Sequence, residues 1–310
     1  MKTRAFAVGC LASLVLSSPA MVYAGPGGPC KPINSLPATI TSSGIYCLAK
    51  DLSTSISGAT DAAIRINADD VVLDLQQHVL DGSSADTAST LATGILAQDR
   101  SNITVRNGTI RGFGSAIRLQ DTAAPYDDTG GHLVTGVRVE GSAAFGIGVI
   151  GRGNRVVNNL VLNTGGATLP SGYGDEMSGI SWGGPDARIV GNDIINVHNT
   201  TEESTWGIAA TGTPGTSVAG SVIEDNRISD LSATIPPYGV TGIGVDTPGI
   251  TFDGTVIADN TITYGTPAGT TGYGIALGVG ALCRNNTIFK FPSGISSAAC
   301  TDGGGNFYSP

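Results

Sequence analysis

The chain reads as an all-β solenoid of about nine coils, and three features of the sequence predict it. Nine times a small residue followed by isoleucine opens a short apolar run: Ala63-Ile64, Gly94-Ile95, Ala116-Ile117, Gly146-Ile147, Gly179-Ile180, Gly207-Ile208, Gly242-Ile243, Gly274-Ile275 and Gly294-Ile295. The steps fall between 20 and 35 residues, a period that marks stacked structural repeats. After each anchor the apolar residues alternate, as in Ile64-Arg65-Ile66, Ile117-Arg118-Leu119, Ile147-Gly148-Val149 and Ile243-Gly244-Val245. That period of two belongs to strands with one buried face, so the coils are built from strands and not helices. The third feature is a phase-locked asparagine in Asn159-Leu160-Val161, Asn192-Asp193-Ile194, Asn226-Arg227-Ile228, Asn260-Thr261-Ile262 and Asn286-Thr287-Ile288.

The first 24 residues stand outside the predicted fold. Lys2 and Arg4 lead into an apolar stretch and then Val22-Tyr23-Ala24, the pattern of a secretory signal cut after Ala24. Ala7-Val8-Gly9-Cys10 offers a competing reading as a lipoprotein box with Cys10 lipidated. The apolar stretch is too short for an ordinary transmembrane helix, and no later segment is long and apolar enough to be one. A secreted or periplasmic location is expected. Cleavage leaves 14 basic groups against 25 acidic ones, 14 − 25 = −11. Such a surface excludes nucleic acid as a partner, because phosphate binding needs clustered Lys and Arg. Oligomeric state and the identity of any ligand are not legible at this level.

Four cysteines survive cleavage, and in an oxidising compartment an even number is paired. Three connectivities are open in principle. About nine coils stacked at ~4.8 Å put the chain ends roughly 40 Å apart, whereas a disulfide needs alpha carbons within about 7 Å. Cys30–Cys47 and Cys283–Cys300 are therefore expected to clamp one end each. Asparagine recurring at one turn accepts the left-handed conformation and passes amide hydrogen bonds up the stack, satisfying groups that the turn would bury. The earlier coil Asn107-Gly108-Thr109-Ile110 has glycine in that place, so the ladder is expected to stop there.

The abundant glycine, the strand–turn–strand coils, the asparagine ladder and the segment Val71-Val72-Leu73-Asp74-Leu75-Gln76-Gln77-His78-Val79-Leu80-Asp81-Gly82 resemble right-handed parallel β-helix proteins of the pectin lyase-like superfamily. The resemblance covers roughly residues 36–300. It implies a right-handed parallel β-helix solenoid over residues 63–295, an N-terminal cap over 25–62 and a C-terminal cap over 296–310, since solenoids need covered ends. That superfamily holds polysaccharide lyases, glycoside hydrolases, epimerases and adhesins, so the resemblance chooses no activity by itself.

In such a fold a ligand groove runs along one strand face beside the long turns. With the anchor isoleucines inward, the outward positions are Arg65, Leu96, Arg118, Gly148, Ser181, Ala209, Gly244 and Ala276, followed two residues on by Asn67, Gln98, Gln120, Gly183, Thr211 and Asp246. The floor is small and neutral over its C-terminal half, as a flat saccharide requires. Insertions at 163–178, 198–206, 230–241 and 264–273 precede the later anchors and are expected to build one wall. They supply Tyr173, Asp175, Glu176, Trp206, Tyr238 and Tyr273, which with Asp246 form the candidate substrate-binding set, because aromatic faces beside acceptors suit sugar rings. Insertions on one side of a repeat protein often form its binding side.

A further insertion at 121–133 carries Tyr126-Asp127-Asp128-Thr129-Gly130-Gly131-His132. Adjacent carboxylates at Asp127 and Asp128 are candidates for holding calcium, and His132 is a candidate general base near neutral pH. With Arg118 on the groove face these make the candidate catalytic set. The resemblance has a polygalacturonase branch with NTD, DD, GHG and RIK motifs, of which only Asp127-Asp128 has a counterpart here. Two functions follow. One is a secreted face that binds polysaccharide or a cell-surface glycan without chemistry, and the other is a polysaccharide lyase or glycoside hydrolase acting on an acidic glycan. They part on whether Arg118, Asp127, Asp128, His132, Asp175, Glu176, His198 and Asp246 converge in one groove.

Overall fold

A computed structural model describes residues 30–83, 85, 89–166, 177–200, 204–233, 239–265, 272–296 and 300–310. It is a parallel β-solenoid. One sheet has ten strands stacked in chain order, from Ala38–Ile40 through Ser115–Gln120 and Met177–Gly183 to Ser293–Ile295, and the remaining strands form a 19-stranded sheet around the flanks. The anchor isoleucines lie in one register down the ten-stranded face, Ile64 beside Ile95, Ile95 beside Ile117, and so on to Ile275 beside Ile295. The face has one rung more than the nine anchors predict. Ala38–Ile40 pairs with Ala62–Ile66 but carries no small-residue–isoleucine signal.

Each full coil visits the face once and the flanks twice. After Phe145–Ile150 on the face come Arg155–Val157 and Leu160–Gly165 on the flanks, then the next face strand, Met177–Gly183. The two sequence periodicities are opposite sides of one contact. A Cβ on Gly146 would lie 2.7 Å from Val161 Cγ1, and one on Gly207 would lie 2.6 Å from Ile228 Cγ2. In each coil the small anchor residue thus faces inward, against the residue two positions after the ladder asparagine. A branched residue there overpacks the core. Between them runs one interior of buried Ile, Val, Leu and Ala, with Phe113, Trp182, Phe252, Tyr264 and Phe291 as its largest side chains.

The ladder has six members. Asn159, Asn192, Asn226, Asn260 and Asn286 each donate from Nδ2 to Oδ1 of the next asparagine, all at 3.0 Å, and Asn306 receives the last of these bonds. Backbone N–H groups of Asn159, Asn192, Asn226, Asn260 and Asn286 donate to the same oxygens. Two expectations are corrected. The ladder ends at Asn159, which accepts from Val137 N–H, one coil before the glycine. The left-handed conformation belongs to the preceding residue, Asn158, Asp225, Asp259 or Asn285, which frees the ladder asparagine to point inward. Disulfides Cys30–Cys47 and Cys283–Cys300 close the two ends, each with Cα–Cα 5.8 Å.

Candidate functional site

A cleft opens on the ten-stranded face toward its N-terminal end. There the outward positions Arg65, Leu96, Gln98, Arg118 and Gln120, with Thr93 and the rim residues Ala59 and Thr60, line a volume of about 260 Å³. Parallel pairing sets Arg65 beside Leu96 and Leu96 beside Arg118. The backbones of the two arginines therefore stand two rungs apart, about 9.6 Å at the usual strand spacing, with Leu96 on the rung between them and carboxamides alongside. Arg65 donates to the Thr60 carbonyl at 2.6 Å, which ties the rim to the floor. The described lining holds no carboxylate.

Further along, the floor departs from expectation. Ser181 is 8% exposed and Ala209 1%, so alternation told correctly which way these positions face but not what covers them. Trp206 is 9% exposed. Its indole lies across the outer side of Gly244, where any side chain would collide with it. Its Nε1 is buried without a hydrogen-bond partner. In the same row, Trp206 pairs with Thr241 and Thr241 with Tyr273, and Tyr273 is 42% exposed. Asp246, half-buried, accepts from Thr247 Oγ1 at 2.9 Å. Tyr173, Asp175, Glu176 and Tyr238 lie outside the described residues. In chain order the wall insertions all fall between a flank strand and the following face strand.

The insertion 121–133 instead follows a face strand. Buried Asp121 holds it, its carboxylate accepting N–H bonds from Ala123 at 3.1 Å and Thr129 at 3.2 Å. Tyr126 leans toward the later coils, its carbonyl against Gly184 and its ring toward Gly212. Asp127 faces Arg152 at 3.9 Å, and Arg152 is bonded to Asp186 at 2.9 Å. Asp127 and Asp128 are exposed. Among the described residues no group of three or more His, Cys, Asp or Glu is placed to hold a metal ion.

His132 is 1% exposed and lies inside the solenoid. Ile103 N–H donates to its Nδ1 at 3.2 Å, and its own N–H donates to Asn154 Oδ1 at 3.0 Å. The proton therefore sits on Nε2, which is buried without a partner. Burial holds the imidazole pKa down, to about 4, because desolvation penalises the charged form. Asn154, then Ser221, which accepts from Ala187 N–H at 3.1 Å, continue the same turn in later coils. His132 thus belongs to a second, shorter polar ladder. Among the described candidates the structure does not gather a titratable set: Arg118 is in the cleft, His132 in the interior, Asp127 on a rim loop and Asp246 toward the far end of the face.

Parallel coils with an inward amide ladder define the class as a β-helix. The family model described as right handed beta helix region matches residues 93–307, and the chain belongs to that family. Among solved structures it is similar to the Dettilon tailspike protein, at 16% identity and TM-score 0.48, over 89% of this chain and 56% of that one. It is also similar to PfbA, a surface adhesin of Streptococcus pneumoniae, at 10% identity and TM-score 0.33, over 87% and 83% of the two chains. A third is the catalytic domain of a GH87 alpha-1,3-glucanase, at 10% identity and TM-score 0.32, over 86% and 63%. This chain thus spans little more than half of the tailspike chain. No curated protein matches it by sequence.

Proposed function

We propose that the ten-stranded face binds polysaccharide without chemistry, and that the cleft lined by Arg65, Leu96, Gln98, Arg118 and Gln120 is where the chain docks. The supporting observation is the cleft itself: guanidinium and carboxamide groups repeated at rung spacing along one strand face. Fork-shaped guanidinium and carboxamide groups bind vicinal sugar oxygens in pairs, while Leu96, 7% exposed, packs beneath them as part of the floor. Export fits this reading, since two disulfides suit an oxidising compartment, and no helix among the described residues is long and apolar enough to cross a membrane.

The test incubates the protein with pectin, alginate and neutral glycans, with and without calcium, following unsaturated product, reducing ends and retention on immobilised glycan. Retention on one glycan that is lost in Arg65→Ala and Arg118→Ala, with no product released, is the expected result. Release of product from any of them sinks the non-catalytic reading.

A further inference from the structure

A second depression lies on the turn between the two flank strands of the coil, away from the ten-stranded face. It has a volume of about 330 Å³ and is bounded by Gly136, Arg138, Asn158, Leu160, Gly191 and Asp193. Its origin is local. The turn column carries a side chain in the left-handed conformation at Asn107, Asn158, Asp225, Asp259 and Asn285, but glycine at Gly136, Gly191 and, in the last coil, Gly305. Glycine stands on either side of Asn158, whose carboxamide leans over Gly191, while the Gly136 side stays open above Leu160, which is half-buried.

The polar groups around this floor are arranged in opposite pairs. Arg138 aligns with Leu160, and Leu160 with Asp193, so a cation and an anion spring from rungs about 9.6 Å apart, on either side of an aliphatic residue. Each is already neutralised by its own neighbour: Arg138 by Glu140 at 3.0 Å, Asp193 by Arg227 at 2.8 Å. The local charge sums to zero, which gives a polyanion nothing to gain. Asp193 engages Arg227 through Oδ1, so Oδ2 is available as an acceptor, and Arg138 bonds Glu140 through Nε and one terminal nitrogen, so the other terminal nitrogen is available as a donor. An aliphatic floor, a donor fork at one end, an acceptor at the other and a carboxamide at the rim match the hydroxyls and apolar ring face of a pyranose. The separation of the two ends requires more than one sugar.

We propose that this depression is a second carbohydrate site, taking adjacent sugars of a neutral glycan. It stands independently of the reading given to the ten-stranded face. A straight glycan strand cannot fill both places, since they lie on different sides of the coil, so occupation of both bridges two strands.

The test titrates cellotetraose, maltotetraose and laminaritetraose separately into the full chain while following the methyl resonances of Leu160 and Val137. Saturable shifts from at least one of them are expected. Gly136→Asn restores the side chain found elsewhere in the column, with an ordinary 3.4 Å approach to Asn107 Oδ1 and a residue type that tolerates the left-handed conformation. It should weaken binding by about tenfold or more, as should Asp193→Asn, from the loss of one hydrogen bond to a charged group. Arg65→Ala should leave the Leu160 shifts unchanged. No shift from any of the three sugars at millimolar concentration overturns the proposal, as does a shift that persists in both Gly136→Asn and Asp193→Asn. Failure of glycan retention through Arg65 and Arg118 sinks the face reading and leaves this one standing.

Discussion

Replacing Asn226 with leucine removes one amide from the middle of the ladder. Four hydrogen bonds go with it. Asn192 N–H and Asn192 Nδ2 each lose Asn226 Oδ1 at 3.0 Å, and Asn226 Nδ2 no longer reaches Ile189 O at 2.8 Å or Asn260 Oδ1 at 3.0 Å. Not all four partners are stranded. Asn192 Nδ2 keeps the carbonyls of Val156 and Val190, and Asn260 Oδ1 keeps the N–H of Asn226. The Asn192 N–H is left without a partner, and the Ile189 carbonyl loses its bond to the amide. At about 1–3 kcal/mol for each buried group stripped of its partner, the expected loss is about 4 kcal/mol. Urea unfolding followed by circular dichroism reads this as a lower midpoint at unchanged slope. Asn306→Leu is the comparison. At the partly exposed end of the column its partners can turn to water, so the loss there should be about 1 kcal/mol. A midpoint unmoved by Asn226→Leu, or an equal loss from Asn306→Leu, refutes the ladder as a source of stability.

Acid should weaken the fold through His132. The unfolded imidazole binds its proton near 6.5 and the folded one near 4, so between those values the unfolded state holds more protons and stability falls as pH falls. The contribution is complete above about 6.5, and about 3 kcal/mol is lost by about pH 4. His132→Asn, whose amide oxygen can accept the Ile103 N–H as Asn154 accepts that of His132, should flatten this part of the profile; an unchanged pH dependence counts against the assignment. Replacing Cys283 and Cys300 with serine opens a loop of 17 residues and should cost about 3 kcal/mol, read as a drop in melting temperature abolished when both proteins are reduced. Gly179→Ala places a methyl group against Ile194 and should cost about 1–3 kcal/mol, whereas Gly141→Ala, with nothing within 4 Å, should lose only the strain of its left-handed backbone; equal losses would show that packing is not what holds the anchor glycines.

Much of this fold was legible because a solenoid repeats its constraints. Each anchor isoleucine meets the one before it, so an error in one coil would show against eight others, and the cysteine pairing followed from stacking alone. Asn306 escaped notice because its coil is truncated and lacks the following isoleucine; the sequence offers Asn306-Phe307-Tyr308 instead. The candidate site was less readable for a physical reason. Alternation reports which side of a strand a residue takes, so Arg65, Gln98, Arg118 and Gln120 were placed correctly on the face. It does not report cover, and Ser181 and Ala209 turned out buried. His132 looked like surface chemistry because it shares an insertion with Asp127 and Asp128, yet it is delivered to the interior.

The amide column also has a direction. From Asn159 to Asn286 each Nδ2 sends one donor to the next amide toward the C-terminal end, whereas Asn306 hands its two donors to the Cys283 carbonyl and to the carboxylate of Asp302 at 2.7 Å. A coil carrying its own asparagine can be spliced between any two members without breaking the sequence of donor and acceptor. Beyond Asn306 the sequence of bonds stops on a charge. The solenoid is thus free to lengthen or shorten by whole coils from within, while the Asn306 amide is held by a carboxylate four residues before it.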